Sequence, residues 1–373
     1  MGTGLPVSLL SARSDVAEDM SVKMRLPFAA LAVLFGGGWP VSGDGLNVRA
    51  RRNGLQYFGT QVSTSILNDA QANAIAIRNQ DFGTYTCEYE QKFRTLQPSR
   101  DSFNYDLSDR IVNQALNNGI IMRCHTLIWH QSVPTWVTEG NFDNATIVEI
   151  IKNHITNVVT HFRGKCYAWD VVNEAVDANG FFRGDKTPSE SIWYSKVGPA
   201  FIPIAFAAAA AADPSAKLYY NDYDIEYASP KTDAVINIVK LIRAYGAKID
   251  GVGLQAHFKT GELPATSRLV SALTSFTTLG VDVAYTELDL ETPASSPDFT
   301  QQALDFATVV KACKQVPRCI GITTWGFTDK YTFLTGKLPD LWDTNLQKKP
   351  AYYSTLAALG PAPAVDVCGC AEF

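Results

Sequence analysis

From Tyr57 onward, short β-branched or aromatic runs alternate with longer segments of helical character, and this alternation constrains the fold more than any other feature of the chain. Strands are expected at 58–61, 82–85, 120–126, 168–172, 218–221, 251–255, 281–286 and 319–324. Helices are expected near 68–79, 106–118, 144–162, 197–212, 230–246, 266–279, 300–314 and 349–359. Eight strands and eight helices in strict alternation make a parallel sheet, and that number closes into an α/β fold of the (β/α)8 TIM-barrel type. An open doubly wound sheet is the competing architecture, but it carries a Gly-rich phosphate turn after its first strand. Here Gln61-Val62-Ser63-Thr64 follows instead.

The 373 residues would suggest two domains by length alone, yet barrels of this size form one unit. No linker or second composition zone interrupts 44–360, which is read as a single catalytic-sized domain. Before it, the ten apolar residues 26–35 follow Lys23 and Arg25 and precede Val41-Ser42-Gly43. That order is the pattern of a secretory signal peptide and is too short to cross a bilayer. The polar stretch 1–19 fits poorly in front of such a signal, so 1–43 is read as a long leader or as one whose translation starts at Met20 or Met24. Residues 361–373 form a Cys-containing surface tail.

A secreted chain with seven cysteines implies disulfides and one leftover thiol. Cys313 and Cys319 are spaced to staple a short loop, and Cys87 and Cys124, each near a strand end, could bridge neighbouring strands. Cys166, Cys368 and Cys370 stay unassigned. Asn144-Ala145-Thr146 is a possible N-glycosylation acceptor.

A net charge of −5 without a Lys/Arg cluster argues against nucleic acid or anionic membrane as a partner. The supply of 19 Phe, 15 Tyr and 7 Trp suits neutral, planar-faced sugars better than phosphates. In a β/α barrel the site lies at the C-terminal ends of the strands. Two expected strands end Trp169-Asp170-Val171-Val172-Asn173-Glu174 and Tyr285-Thr286-Glu287-Leu288-Asp289, so Glu174 and Glu287 emerge on one face. Carboxylates facing one another across a cleft are the equipment of glycoside hydrolysis, one protonated to assist the leaving oxygen and one ionised to attack or stabilise the anomeric carbon. Other strand ends supply His125, Trp129, His130, Asn221-Asp222-Tyr223, Gln255 with His257, and Trp325. Five histidines with no zinc-ligand spacing argue against a metal, and no cofactor is expected. His257 beside an attacking carboxylate would help set its charge.

These segments resemble glycoside hydrolase family 10, the endo-β-1,4-xylanases, in fungal form. The resemblance runs over 44–360 and rests on WDVVNE (169–174), TELDL (286–290), HTLIWH (125–130), GVGLQAHF (251–258) and TWGFTDK (324–330). It implies a (β/α)8 enzyme that hydrolyses xylan with retention, with Glu174 as acid/base and Glu287 as nucleophile; secretion is read from the leader pattern, and nothing in the sequence suggests anything but a monomer. It also implies that His257 and Asp289 keep Glu287 ionised and that Asn173 binds the 2-hydroxyl of the sugar being cleaved. Glu88, Lys92, His125 and Trp129 would line the glycone side, Gln255 would sit near the nucleophile, and Tyr223 and Trp325 would bracket the cleft. A retaining mechanism places the two carboxyls roughly 5 Å apart.

Three positions depart from the family pattern. Tyr89 stands where an Asn is usual, Ser132 preceded by Gln131 stands where a Gln is usual, and Phe333 replaces a Trp. Each lost hydrogen bond to a sugar costs about 0.5–1.5 kcal/mol, and the alternative is that Tyr89 offers its own hydroxyl or ring. The runner-up function is therefore a glycosidase of the same mechanism acting on a non-xylan plant glycoside, such as a steroidal saponin. A catalytically silent sugar-binding barrel is a third reading, against which all five acid and support residues stand.

Overall fold

The computed structural model describes residues 43–187 and 190–361. The leader pattern at 26–35, Cys368 and Cys370 lie outside them. Among the described residues nine strands run in parallel: β1 Tyr57–Val62, β2 Thr84–Cys87, β3 Ile121–Trp129, β4 Cys166–Asn173, β5 Lys217–Asp222, β6 Gly251–Leu254, β7 His257–Lys259, β8 Asp282–Glu291 and β9 Cys319–Thr324. β1 to β6 pair in sequence, β6 pairs with β8, β8 with β9, and β9 with β1, which closes an eight-stranded barrel. The ninth strand, β7, is a short continuation after β6 that runs beside the end of β8 and aligns His257 with Asp289. It was not legible as a separate strand because the sequence around Gln255 and Ala256 simply continues a polar strand end. Ala256 takes a left-handed backbone conformation (φ 64°) and its N–H donates to Glu226 at 2.7 Å, which makes the bend.

Several helices start where a side chain caps their first turn. Asp143 caps Asn144–His161, Asp298 caps Phe299–Lys314, and Ser229 caps Pro230–Ala244, which has proline in its first turn. The helix expected over 68–79 is observed as the shorter Ala70–Ala76, started where the Asp69 carboxylate accepts the N–H groups of Gln71 and Ala72, and a separate short helix, Thr64–Asn68, precedes it. Helices Leu46–Arg52 and Ile192–Val197 were not expected, being only seven and six residues long.

The lower interior of the barrel is filled by Tyr57, Tyr219, Ala168, Ala284 and Ile320. Large side chains are admitted there by glycines on neighbouring strands. A Cβ at Gly321 would sit 2.4 Å from the Tyr57 ring, one at Gly251 only 2.1 Å from the Tyr219 ring, and one at Gly253 2.9 Å from Arg123 Nη2. Arg123, fully buried, stacks its guanidinium 4.3 Å from the Tyr219 ring centre and pairs with Asp170.

The expected pairing of Cys87 with Cys124 is corrected. Cys124 on β3 is joined to Cys166 on β4, with Cα atoms 5.8 Å apart, and Cys87 is a free, buried thiol. Cys87 is next in register to Cys124, but in-register neighbours on parallel strands point side by side, whereas a disulfide needs converging Cβ vectors. Cys313 and Cys319 are joined across a turn. The Asn144 side-chain nitrogen, on an exposed helix start, donates to the Lys196 carbonyl at 2.8 Å.

Filling the space above the Tyr219 ring should be costly. Gly251→Ala is expected to lower stability by about 1–3 kcal/mol, the usual range for overpacking, measured by denaturant unfolding; a change below about 0.5 kcal/mol would show that the floor is looser than described.

Candidate active site

Glu174 follows the last residue of β4 in a left-handed conformation (φ 54°), which turns its carboxylate into the barrel mouth. Three donors meet it: Trp129 Nε1 at 2.8 Å on Oε2, and Gln255 Nε2 at 2.9 Å and Asn173 Nδ2 at 3.1 Å on Oε1. Glu287 emerges from β8, where Asn221 Nδ2 donates to its Oε1 at 2.8 Å and His257 Nε2 to its Oε2 at 3.2 Å. Asn221 Nδ2 also donates to Asn173 Oδ1 at 2.9 Å. A continuous line of amides thus joins the two carboxylates.

The charges are set by neighbours. Burial pushes the Glu287 carboxyl up, but the His257 hydrogen bond, the nearby His125 and His257 rings and the Asn221 amide outweigh it and hold the group below its ordinary range. Burial works against a charged His257, yet Asp289, 2.7 Å from its Nδ1, together with Glu287 raises the imidazole well above its ordinary value. His257 therefore stands as an imidazolium between two carboxylates. Burial raises Asp289 despite that cation.

His125 is oriented from below by Asp170, 3.1 Å from Nδ1, and Arg123 in turn bonds Asp170 at 2.5 and 3.2 Å. Trp325 meets the His125 ring edge-on at 5.4 Å. Lys92 lies 4.8 Å above the Trp129 ring; burial lowers its amine, against the pull of Glu287, Glu88 and Glu174. Glu88 accepts from Gln61 at 2.9 Å and is raised by burial and by Glu90. Tyr223 is clamped, its hydroxyl accepting from Arg183 at 2.6 Å and its ring under Lys231 at 3.3 Å, with Lys231 itself paired to buried Asp222 at 2.8 Å.

These groups line one cleft of about 540 Å³, which brings together Glu88, Lys92, His125, Trp129, Asn173, Glu174, Tyr223, Gln255, His257, Glu287, Asp289, Trp325 and Phe333. Tyr89 is the exception among the expected contacts. It is half-exposed and its hydroxyl lies 2.9 Å from Thr64 Oγ1, because successive side chains leaving a strand point to opposite sides and Glu88 takes the inward one. Ser132 is also off the cleft, in a left-handed conformation (φ 54°), while Gln131 lines it. His130, lowered to about 4 by burial and by Arg183, is not among the residues lining the cleft. The sequence reading missed Asn221 as a partner of Glu287 and also Gln131, Lys259, Glu291 and Leu334 on the walls. The polar triplet 221–223 at a strand end was the available signal for Asn221. Among the described residues, no group of three or more His, Cys, Asp or Glu is arranged to hold a metal ion.

Comparison with known proteins agrees with this geometry. The chain is 46% identical over 321 residues to endo-1,4-beta-xylanase D of Talaromyces funiculosus, covering 84% of this chain and 77% of that one. It is 40% identical over 332 residues to the endo-1,4-beta-xylanase of Agaricus bisporus, covering 87% and 96%. Among solved structures, the GH10 xylanase of Bispora sp. MEY-1 with xylobiose superposes with a TM-score of 0.80 at 36% identity, covering 84% of this chain and 99% of that one. Xylanase 10B of Thermotoga petrophila RKU-1 with xylobiose gives a TM-score of 0.80 at 32% identity, covering 86% and 98%. Residues 45–358 match the family described as Glycosyl hydrolase family 10, and with two carboxylates held across the mouth of a closed (β/α)8 barrel, the chain belongs to that family.

Proposed function

We propose that this chain is a secreted, monomeric, retaining endo-1,4-β-xylanase in which Glu287 is the nucleophile and Glu174 the acid/base. The observation that carries this reading is the unequal partnering of the two carboxylates: Glu287 is held ionised by an imidazolium and an amide, whereas Glu174 is met only by neutral donors. In the first step Glu287 attacks the anomeric carbon while Glu174 gives its proton to the departing glycosidic oxygen, leaving a glycosyl-enzyme ester. In the second, Glu174 takes a proton from water, whose oxygen displaces Glu287. His257 and Asp289 keep the nucleophile charged and aimed. Asn173, whose Oδ1 is fixed by Asn221 and Gln255, is placed to meet the hydroxyl beside the reacting carbon.

Glu88, Lys92, His125 and Trp129 form the glycone-side wall in this reading, with Tyr223, Trp325 and Phe333 bracketing the other parts of the cleft. Gln131 on the wall offers an amide one residue before Ser132, and Tyr89 leaves the cleft unfilled; both favour xylan over a redirected substrate. One observation favours the second reading, a non-xylan glycoside with an apolar aglycone: half-exposed Phe333 and its neighbour Leu334 give the cleft an apolar wall beside His257. Two disulfides and the apolar run 26–35 support an extracellular site of action.

Chromatography of products from soluble xylan decides between the two. Short xylo-oligosaccharides from the wild type and none from Glu287→Ala are expected; a folded wild type that cuts only glycosides with bulky aglycones would establish the second reading. Glu174→Ala is expected to lower kcat on xylan about 10²–10⁴-fold and to cost far less with an aryl xyloside whose leaving group needs no proton. Equal losses on both substrates would remove Glu174 from the acid role.

The pH profile tests the His257 chain. Activity needs ionised Glu287, so kcat/KM falls as pH drops through the Glu287 pKa, and the wild-type acid limb lies low because that pKa is depressed. Replacing His257 by Asn removes the strongest of the opposing partners and is expected to move the acid limb to higher pH; an unmoved limb would show that other groups hold the charge.

A further inference from the structure

The segment 332–349 carries Phe333 and Leu334 on the cleft wall and then passes beneath the end of β8, where Leu290 N–H donates to the Pro339 carbonyl and Leu338 N–H to the Thr292 carbonyl. At its centre Asp340 is buried, only 1% exposed, and neither of its carboxyl oxygens has a hydrogen-bond partner among the described residues. Its backbone N–H donates to Asp329 Oδ1 at 2.8 Å. Three charged groups face it: Asp289 from β8, Asp329 from the turn Asp329–Tyr331, and Lys349 from the start of helix Pro350–Leu359. The one cation among them is already engaged, since Lys349 Nζ donates to Asp329 Oδ2 and to the Leu338 carbonyl, each at 2.9 Å. Gly326 closes the remaining side: a Cβ there would stand 3.3 Å from either Asp340 oxygen.

A carboxylate with no donor, buried between two other carboxyls, is costly, and such a group keeps its proton instead. We propose that Asp340 is a proton-dependent latch: as the neutral acid it lets segment 332–349 pack onto β8 beneath Asp289, and as the carboxylate it opposes that packing and loosens the wall bearing Phe333 and Leu334. The direction follows from burial and from the Asp329 and Asp289 charges, which push Asp340 well above its ordinary range. Between the unfolded value near 3.9 and the raised folded value, the native state binds one proton more than the unfolded chain. Stability contributed by this group is therefore present below about pH 4 and falls as pH rises. The latch does not depend on the identity of the substrate.

The test is thermal unfolding of the full chain and of Asp340→Asn, which keeps the shape and removes the ionisation, from pH 4 to pH 8. The two proteins are expected to melt within about 1 °C of one another at pH 4, with the variant melting about 4 °C or more higher at pH 8, and with its activity on the same substrate persisting further into the alkaline range. A difference that is constant with pH, or a variant less stable throughout, overturns the proposal. A measurement on the unsubstituted protein needs no variant: the Asp340 carboxyl carbon, followed by NMR in aspartate-labelled protein, should titrate well above the exposed aspartates, and titration near pH 4 would overturn the latch.

Discussion

Asp170, Glu287 and Asp289 are all buried in the mouth of one barrel, and an isolated buried carboxylate is among the most unfavourable things a fold can contain. Each is tolerated because a specific partner reaches it: Arg123 and His125 for Asp170, His257 and Asn221 for Glu287, and His257 again for Asp289. A Cβ at Gly253 would crowd both Asn221 and Arg123, and His257 reaches both its partners where the chain bends at Ala256 and resumes as β7. The charge pattern of the site is thus inherited from backbone choices one layer below it.

The two carboxylates also share hardware. Asn221 donates to both Asn173 and Glu287, and Gln255 donates to both Glu174 and Asn173. Moving either acid disturbs donors used by the other, so their separation is held by four neighbouring strands, β4, β5, β6 and β8, and by the residues that directly follow β4 and β6. Strand-borne groups of this kind are positioned more tightly than loop-borne ones. Tyr223 shows the same design on the cleft wall, where Lys231 over the ring and Arg183 on the hydroxyl leave the side chain little freedom.

The barrel was legible in the sequence because a fully buried parallel strand leaves a run of apolar residues and the polar groups fall at its end, where the mouth is. That made Glu174, Glu287, His257 and Trp129 readable by position alone. What escaped depended on direction in space. Cys124 had two possible partners on neighbouring strands, and only side-chain vectors separate Cys166 from Cys87. Glu88 and Tyr89 are adjacent in sequence and point to opposite sides, and Gln131 reaches the wall that a count of residues assigned to Ser132. Asn221 was visible as a strand-end amide, but its bond to Glu287 across the sheet joins residues 66 apart in the sequence.

The rings of Tyr57 and Tyr219, wedged against Gly321 and Gly251, stop the barrel at its lower end. The barrel is a cup and not a tube. A polymer that reaches Glu174 and Glu287 has to lie across the rim, with both of its ends on the same side of the protein, and cannot be fed through the centre. Neither end of the polymer has to be found before cutting can begin, and fragments are free to depart in either direction along the surface from which they came.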